Sequence, residues 1–142
     1  MIHQRQVIRQ AVASLLMGKT AAGQAVYATR EVPWRRIELP GIAVYTYDEA
    51  SEWDTLQGAY RRTVTLAVVA VLERSQDIDN ALDAIALEIE TVLGADPTLG
   101  GVAFGSLLTE THIEVNTEQE TPVGAVRLVY DVEYRTSSNP AA

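Results

Sequence analysis

The sequence predicts a single α+β domain in which two helices pack on a mixed or antiparallel sheet of about four to five strands. Residues 60–73 form the longest β-branched run, and both of its alternating sets are apolar or nearly so, which is typical of a strand covered on both faces. Residues 2–17 and 77–93 instead carry apolar side chains at helical spacing. The other apolar runs alternate with a period of two, so the expected order is α-β-β-β-α-β-β around a central strand at 60–73.

The two helices have recognisable ends. The first has an apolar stripe formed by Val7, Ile8, Ala11, Val12, Leu15 and Leu16, and Gly18 supplies its stop. Its opposite face holds Gln4, Arg5, Arg9 and Gln10, which we expect to be solvated, with a contact to a partner chain as the alternative. The second helix is capped by Ser75 or Asp77 and ends at Gly94, and we expect it to lie across the central strand.

The remaining strands follow from the polar segments between them. Residues 25–28 form a short edge strand, and 29–36 are irregular because Pro33 cannot donate a ladder hydrogen bond. Ile42, Val44 and Thr46 alternate with Ala43, Tyr45 and Tyr47 in the next strand, which the polar connection 48–58 joins to the central one as an antiparallel neighbour. That connection is long for a hairpin and extends the ribbon beyond the body of the domain.

Two further strands complete the domain. In the first, Leu107, Thr109, Thr111, Ile113 and Val115 are expected to share one face. The second strand spans residues 126–134 and is joined to the first by a polar hairpin at 116–124. Residues 1–136 therefore form one domain, and 137–142 read as a loose, flexible tail.

The composition excludes several classes of protein. The chain has 142 residues, and its 19 acids against 11 Lys and Arg give a net charge of −8, which argues against a sequence-reading nucleic-acid binder. There is no cysteine, so disulfides and thiolate zinc sites are excluded. No apolar run approaches the roughly 20 residues of a membrane helix, and polar residues interrupt the N-terminus where a signal peptide would be apolar. We expect use in a cytoplasm or in a particle assembled there.

Chemical motifs are weak throughout. Gly18-Lys19-Thr20 resembles the end of a phosphate-binding loop, but Ala13 stands where the motif requires glycine, and the triplet closes a helix. The acids of 48–54 lack the spacing of a calcium loop. His112, between Glu110 and Glu114, is more typical of a wet sheet surface than of a metal site. We predict no catalytic, cofactor-binding or metal-binding residues and a protein that is not an enzyme.

The more informative residues are aromatic and charged. Trp34 and Trp53 lie in predicted connections, where each either caps the core or anchors a protein interface. Nearby arginine pairs are suited to bind the carboxylates of residues 48–54 in a neighbouring copy, a charge arrangement that favours head-to-tail ring packing. Plain solvation of these arginines is the alternative. The candidate subunit or tube interface comprises Trp34, Arg35, Arg36, Asp48, Glu49, Glu52, Trp53, Arg61 and Arg62.

Three stretches carry a family resemblance: the opening helix RQVIRQAVASLLMG, the following AAGQAVYATREVPW, and the strand region LPGIAVYTYDEASE. Together with the order of the later elements, they resemble the tail terminator proteins of long-tailed bacteriophages, the lambda-type minor tail protein class. The resemblance implies a structural virion protein without cofactors, assembled as a hexameric ring on the last ring of tail tube protein. Such a ring stops tube growth at the head-proximal end and joins head–tail connector proteins, with DNA passing through its lumen. The segments 29–38 and 48–58 are then expected to make ring or tube contacts.

Two alternatives remain open at the level of sequence. A head-completion or head–tail connector protein is also a small ring former, and it differs from a terminator in its partner. A small ligand-binding or enzymatic α+β domain would instead present a concave apolar pocket with convergent polar groups. The sequence shows no such convergent set.

Overall fold

The computed structural model describes residues 2–54, 58–118 and 120–137. Its elements are α1 (Gln4–Leu16), β1 (Val26–Tyr27), β2 (Gly41–Asp54), β3 (Ala59–Glu73), α2 (Ile78–Ala95), β4 (Gly105–Asn116) and β5 (Val123–Ser137). The predicted order and the α+β class are confirmed. Residues 138–142 of the predicted tail lie outside the described residues, while residue 137 is the last of β5.

The strands form one mixed sheet in the order β1-β2-β3-β5-β4. Only the short β1–β2 pair is parallel, whereas β2–β3, β3–β5 and β5–β4 are antiparallel. The β-branched run at 59–73 is therefore the central strand of the sheet, as predicted, with β2 on one edge and β5 on the other.

The core lies on one face of this sheet, where both helices pack. The fully buried side chains of β3 on this face, Val64, Leu66 and Val68, meet apolar residues of α1 and α2 in a single cluster. Burying each aliphatic side chain of this size stabilises the fold by roughly 1.5–3 kcal/mol before entropy is counted. In the described part of the chain no helix covers the opposite face, which we call the helix-free face.

The polar face predicted for α1 is turned inward. Gln4 Nε2 donates to the carbonyl of Val102 at 2.8 Å, Arg5 binds Glu49, and Arg9 donates to Thr46 Oγ1 at 3.1 Å. These three residues are partly buried rather than simply solvated, because β2 supplies acceptors to Arg5 and Arg9 and the segment before β4 supplies one to Gln4. Among the four, Gln10 is exposed as expected.

The start of α2 also differs from expectation. Asp77 occupies the N-cap position, but its backbone adopts a left-handed φ of 56° and its side chain makes no capping hydrogen bond. The helix runs on through Gly94 to Ala95. It carries acidic residues and no basic one, so its negative charge is not balanced along its own length.

Two β-bulges set which side chains face the helices. In β2 the pairing passes from Thr46 to Asp48, so Tyr47 is an extra residue and Glu49 is directed to the helix side opposite Val64. Residues 48–54 continue β2 instead of forming part of the predicted connection, and they extend the β2–β3 pair as expected. In β4 a similar irregularity lies between Leu108 and Glu110. Leu107 and Ile113 therefore lie on opposite faces, although simple alternation predicted the same face.

Candidate subunit interface

The predicted interface residues fall into two separate places. Trp34, Arg35 and Arg36 lie in residues 29–38, the arginine segment, which precedes β2. The other six lie at the far end of β2 and β3, in what we call the ribbon: residues 48–54, 59–62 and 133–137. Trp34 lies at the start of β2, over Gly41, and Asp48 follows Gly41 seven residues later, which corresponds to roughly 20 Å of extended strand. Within one chain the two groups therefore form separate surfaces.

The arginine segment is anchored by Trp34. This half-buried ring lies over Gly41, where its Cζ3 atom would be only 2.9 Å from an added Cβ, so residue 41 needs to be glycine. The backbone N–H of Arg36 donates to the carbonyl of Pro33 at 2.7 Å and closes a turn. Both Arg35 and Arg36 are exposed, and within the described residues their side chains make no hydrogen bond or ion pair. This anchored turn thus presents two uncompensated cations.

On the helix side of the ribbon, Glu49 is the centre of a largely buried charged cluster. Its Oε2 atom accepts from Arg5 at 2.7 Å and from Arg62 at 3.3 Å, and its Oε1 atom accepts from the hydroxyl of Tyr134. The side chains of Glu49 and Arg62 are only 13% and 14% exposed. A carboxylate with three donors is satisfied within its own chain, so these residues hold α1 to the ribbon.

The cluster perturbs the groups around it. The pKa of Tyr134 is raised to about 12, first because the phenol is buried and then because it donates to the negatively charged Glu49. The pKa of His3 is lowered by burial and by the positive charge of Arg5. A neutral His3 keeps the lone pair on Nδ1 that accepts the backbone N–H of Arg5 at 3.1 Å and caps α1.

The other side of the ribbon carries ion pairs open to solvent. Arg61 contacts Glu52 and, at 3.8 Å, Glu133, while Arg135 contacts Asp54 at 3.6 Å. The hydrogen bond to Glu52 is the largest cause of the raised pKa of Arg61. Exposed pairs of this kind contribute little to stability, so they can exchange partners at small cost. Asp48 lies on the same side, opposite Thr65, and is exposed.

Trp53 is the exposed aromatic residue of the ribbon. Its ring is 52% exposed and meets Tyr60 edge to face, with the ring centroids 5.4 Å apart. The guanidinium of Arg62 lies 5.3 Å from the Tyr60 centroid on the same side. An aromatic side chain held by its neighbours yet open to solvent is typical of an interface anchor rather than of a core cap.

The helix-free face has mixed character. Tyr45 and Tyr47 lie with their rings 6.2 Å apart, and the Arg30 guanidinium lies 5.0 Å from the Tyr45 centroid. A depression of about 280 Å³ beside them is lined by Tyr45, Val69, His112, Glu114, Ala125 and Arg127. His112 contacts Glu110 at 3.0 Å, yet the described residues hold no group of three or more potential ligands arranged for a metal ion.

Several residues that shape these surfaces were not among the predicted interface residues. Arg5 and Tyr134 complete the Glu49 cluster, and Phe104 and Leu107 are large apolar side chains left 64% and 69% exposed. Alternation places Tyr134 on the same face as the buried Val132. It does not place Glu49 beside Tyr134, because it does not predict the bulge at Tyr47. The exposure of Leu107 depends on the second bulge, in β4, which the alternation of apolar and polar residues does not predict.

The arrangement defines a class of protein. The candidate surfaces are an arginine-bearing turn, a ribbon and a sheet face, and four depressions lined by described residues are open and about 190–280 Å³ in volume. Such features are typical of a structural assembly protein. Within the described ranges no helix is long and apolar enough to cross a membrane.

The family model for phage minor tail protein U matches residues 2–134, and the chain therefore belongs to this family. It is accordingly a structural protein of the phage tail, and the resemblance to lambda-type minor tail proteins is confirmed. A solved structure described as the virion of a native gene transfer agent particle contains a chain 13% identical to this one. The match covers 90% of this chain and 93% of that chain, with a TM-score of 0.43. We found no curated protein with significant sequence similarity.

Proposed function

We propose that this minor tail protein is the tail terminator. In this role it forms a homo-hexameric ring on the last ring of tail tube protein, ends tube polymerisation at the head-proximal end and offers the surface that connector proteins join. The proposal includes assembly in the host cytoplasm, passage of DNA through the lumen without sequence-specific binding, and no enzymatic activity.

The observation that carries the proposal is the exposed turn of Arg35 and Arg36. The ribbon arginines Arg61 and Arg62 have carboxylate partners in their own chain, whereas Arg35 and Arg36 have none among the described residues. On a protein with a net charge of −8, an exposed pair of cations without a carboxylate partner is suited to a carboxylate-bearing partner chain. A tail protein that caps a tube needs such contacts both to its neighbours in a ring and to the tube.

The test compares tail capping by two charge-reversed proteins. Arg35→Glu combined with Arg36→Glu is expected to abolish ring formation and capping, so that electron microscopy shows tubes of uncontrolled length. Its matched control is Lys19→Glu combined with Arg74→Glu, which also reverses two exposed cations and is expected to cap normally. Both proteins are expected to keep the wild-type stability within about 0.5 kcal/mol, since the changes are at the surface. Normal capping by the first protein would remove Arg35 and Arg36 from the interface.

The two alternative functions predict different binding behaviour and a different kind of pocket. A connector or head-completion protein would bind the head side without affinity for tail tubes, so tube binding by the purified chain separates the two roles. A ligand-binding or enzymatic domain would need an enclosed pocket, usually of about 300 Å³ or more, with convergent polar groups. A stable monomer or dimer without tube affinity would favour that alternative.

A further inference from the structure

A shallow apolar groove lies between the C-terminal half of α2 and the start of β4, at the sheet edge opposite β1. It has a volume of about 230 Å³ and is lined by Glu90, Leu93, Gly94, Pro97, Ser106, Leu107, Leu108 and Tyr130. One of its walls is fixed, because Ser106 Oγ donates to the carbonyl of Pro97 at 2.9 Å. This hydrogen bond holds the segment before β4 against the start of β4, on one side of the groove.

Exposed apolar side chains border this groove. Leu107, which lines it, is 69% exposed, and Leu87, one turn before Glu90 on α2, is 66% exposed. Single exposed apolar residues need no explanation, but apolar side chains that border a groove add to the area that a protein partner can cover. The groove itself provides an apolar floor.

The charge beside the groove is negative. Glu90 lies on its rim, and its negative charge adds to the burial that raises the pKa of Tyr130 to about 12. Asp83 precedes Glu90 by seven residues, which places both carboxylates on one side of α2. Both are exposed, within the described residues neither has an ion-pair partner, and α2 contains no basic residue.

We propose that this groove binds the arginine segment of a second copy of the chain, with Arg35 and Arg36 directed at Glu90 and Asp83 and the exposed edge of Trp34 on the apolar floor. This inference rests on the proposed ring and identifies the two surfaces that meet in it. The arginine segment precedes β2 and flanks the β1 side of the sheet, whereas the groove flanks β4, the opposite edge. Two different surfaces at opposite edges give a head-to-tail contact, the kind that closes into a ring.

The first arm of the test is a charge exchange, measured by light scattering over a range of concentrations with and without purified tail tubes. Arg35→Glu with Arg36→Glu, and separately Asp83→Arg with Glu90→Arg, are each expected to weaken self-association at least about tenfold. An equimolar mixture of the two proteins is expected to recover assembly, because each contact then joins opposite charges again. Glu73→Arg with Glu118→Arg is the control for the acidic pair and is expected to assemble normally.

The second arm uses the absence of native cysteine. Gly94 lies in the groove, where an added Cβ would meet nothing within 4 Å, so Gly94→Cys is expected to fold normally. Mixed with Arg36→Cys under mild oxidation, it is expected to give a disulfide-linked heterodimer, whereas mixtures with Lys19→Cys or Trp53→Cys are not. A link to Trp53→Cys in place of Arg36→Cys would assign the groove to the ribbon and overturn the proposal.

The two proposals fail in different ways. If the wild-type chain forms rings or caps tubes while the acidic reversal has no effect and no Gly94–Arg36 link forms, the groove assignment is wrong and the terminator role stands. If the wild-type chain neither self-associates nor binds tubes, the terminator role fails and the groove assignment fails with it.

Discussion

Arg61 and Arg62 are neighbours on β3, and each contacts a glutamate of β2, yet they lie in different settings. The Arg62–Glu49 pair is about one-eighth exposed and shares its carboxylate with Arg5 and Tyr134, whereas the side chains of Arg61 and Glu52 are 49% and 67% exposed. Water screens the Arg61–Glu52 pair and can hydrogen-bond to either partner if the pair breaks. The buried Arg62–Glu49 pair has no such access to water. The same residue types, one position apart, therefore fix one side of the ribbon and leave the other side adjustable.

This difference bears on assembly. The Glu49 cluster joins α1 to the ribbon, so Glu49 and Arg62 have partners within their own chain, and their place in a subunit interface stays a prediction. The pairs around Arg61 are satisfied in the isolated chain, but they are weak enough to be rearranged by a neighbour. The ribbon remains a candidate contact surface through Trp53 and its solvent-exposed charges.

The largest expected effect comes from breaking the buried cluster. Glu49→Ala removes the acceptor of three donors and leaves Arg62 buried without its counter-charge, so we expect a loss of about 3–5 kcal/mol of folding free energy. Urea unfolding followed by circular dichroism measures this loss. Glu52→Ala is the matched variant on the exposed side and is expected to unfold like the wild type. Equal losses from the two variants would mean that the buried and the exposed pairs contribute equally to stability.

A smaller effect is expected from Tyr134→Phe, which deletes one donor to Glu49 and should cost about 1–3 kcal/mol near neutral pH. The folded-state pKa of Tyr134, about 12, exceeds its ordinary value of 10.0. The unfolded chain therefore loses this proton first, so the contribution of the phenol to stability is complete below pH 10 and declines as the pH rises towards 12. Unfolding measured at about pH 9 and pH 11 should show a smaller alkaline loss for Tyr134→Phe than for the wild type. Some loss should remain, because the pKa of Tyr130 is also raised to about 12.

The smallest effect is expected from Arg61→Ala. Because this side chain and its partner Glu52 are open to solvent, thermal unfolding should shift by less than about 2 °C. High salt should likewise leave the melting temperature of the wild type nearly unchanged, since the buried cluster is shielded from mobile ions. A large shift for Arg61→Ala would mean that the exposed pairs support the ribbon.

The sequence predicted the architecture because its signals are periodic. The run at 59–73 and the stripes of α1 and α2 are long and regular, so burial alone determines their class and order. The surfaces were harder to predict because each depends on a local irregularity or a tertiary contact. Simple alternation from Ile42 turns Glu49 outward, and only the bulge at Tyr47, which the pattern does not show, returns it to the helix side. The position of Arg5 depends in turn on Glu49. Trp34 and Trp53 looked alike in sequence, yet one is held against Gly41 and the other projects from the ribbon.

The bulge in β2 also has a meaning for how this strand tolerates change in length. The ladder is in register on both sides of Tyr47, with Thr46 opposite Leu66 and Asp48 opposite Thr65. A chain lacking Tyr47 would join these two halves into an unbroken ladder and keep Glu49 directed at α1. The gain or loss of this residue during evolution would therefore leave the core packing unchanged. It would alter only the helix-free face, where the ring of Tyr47 lies beside Tyr45.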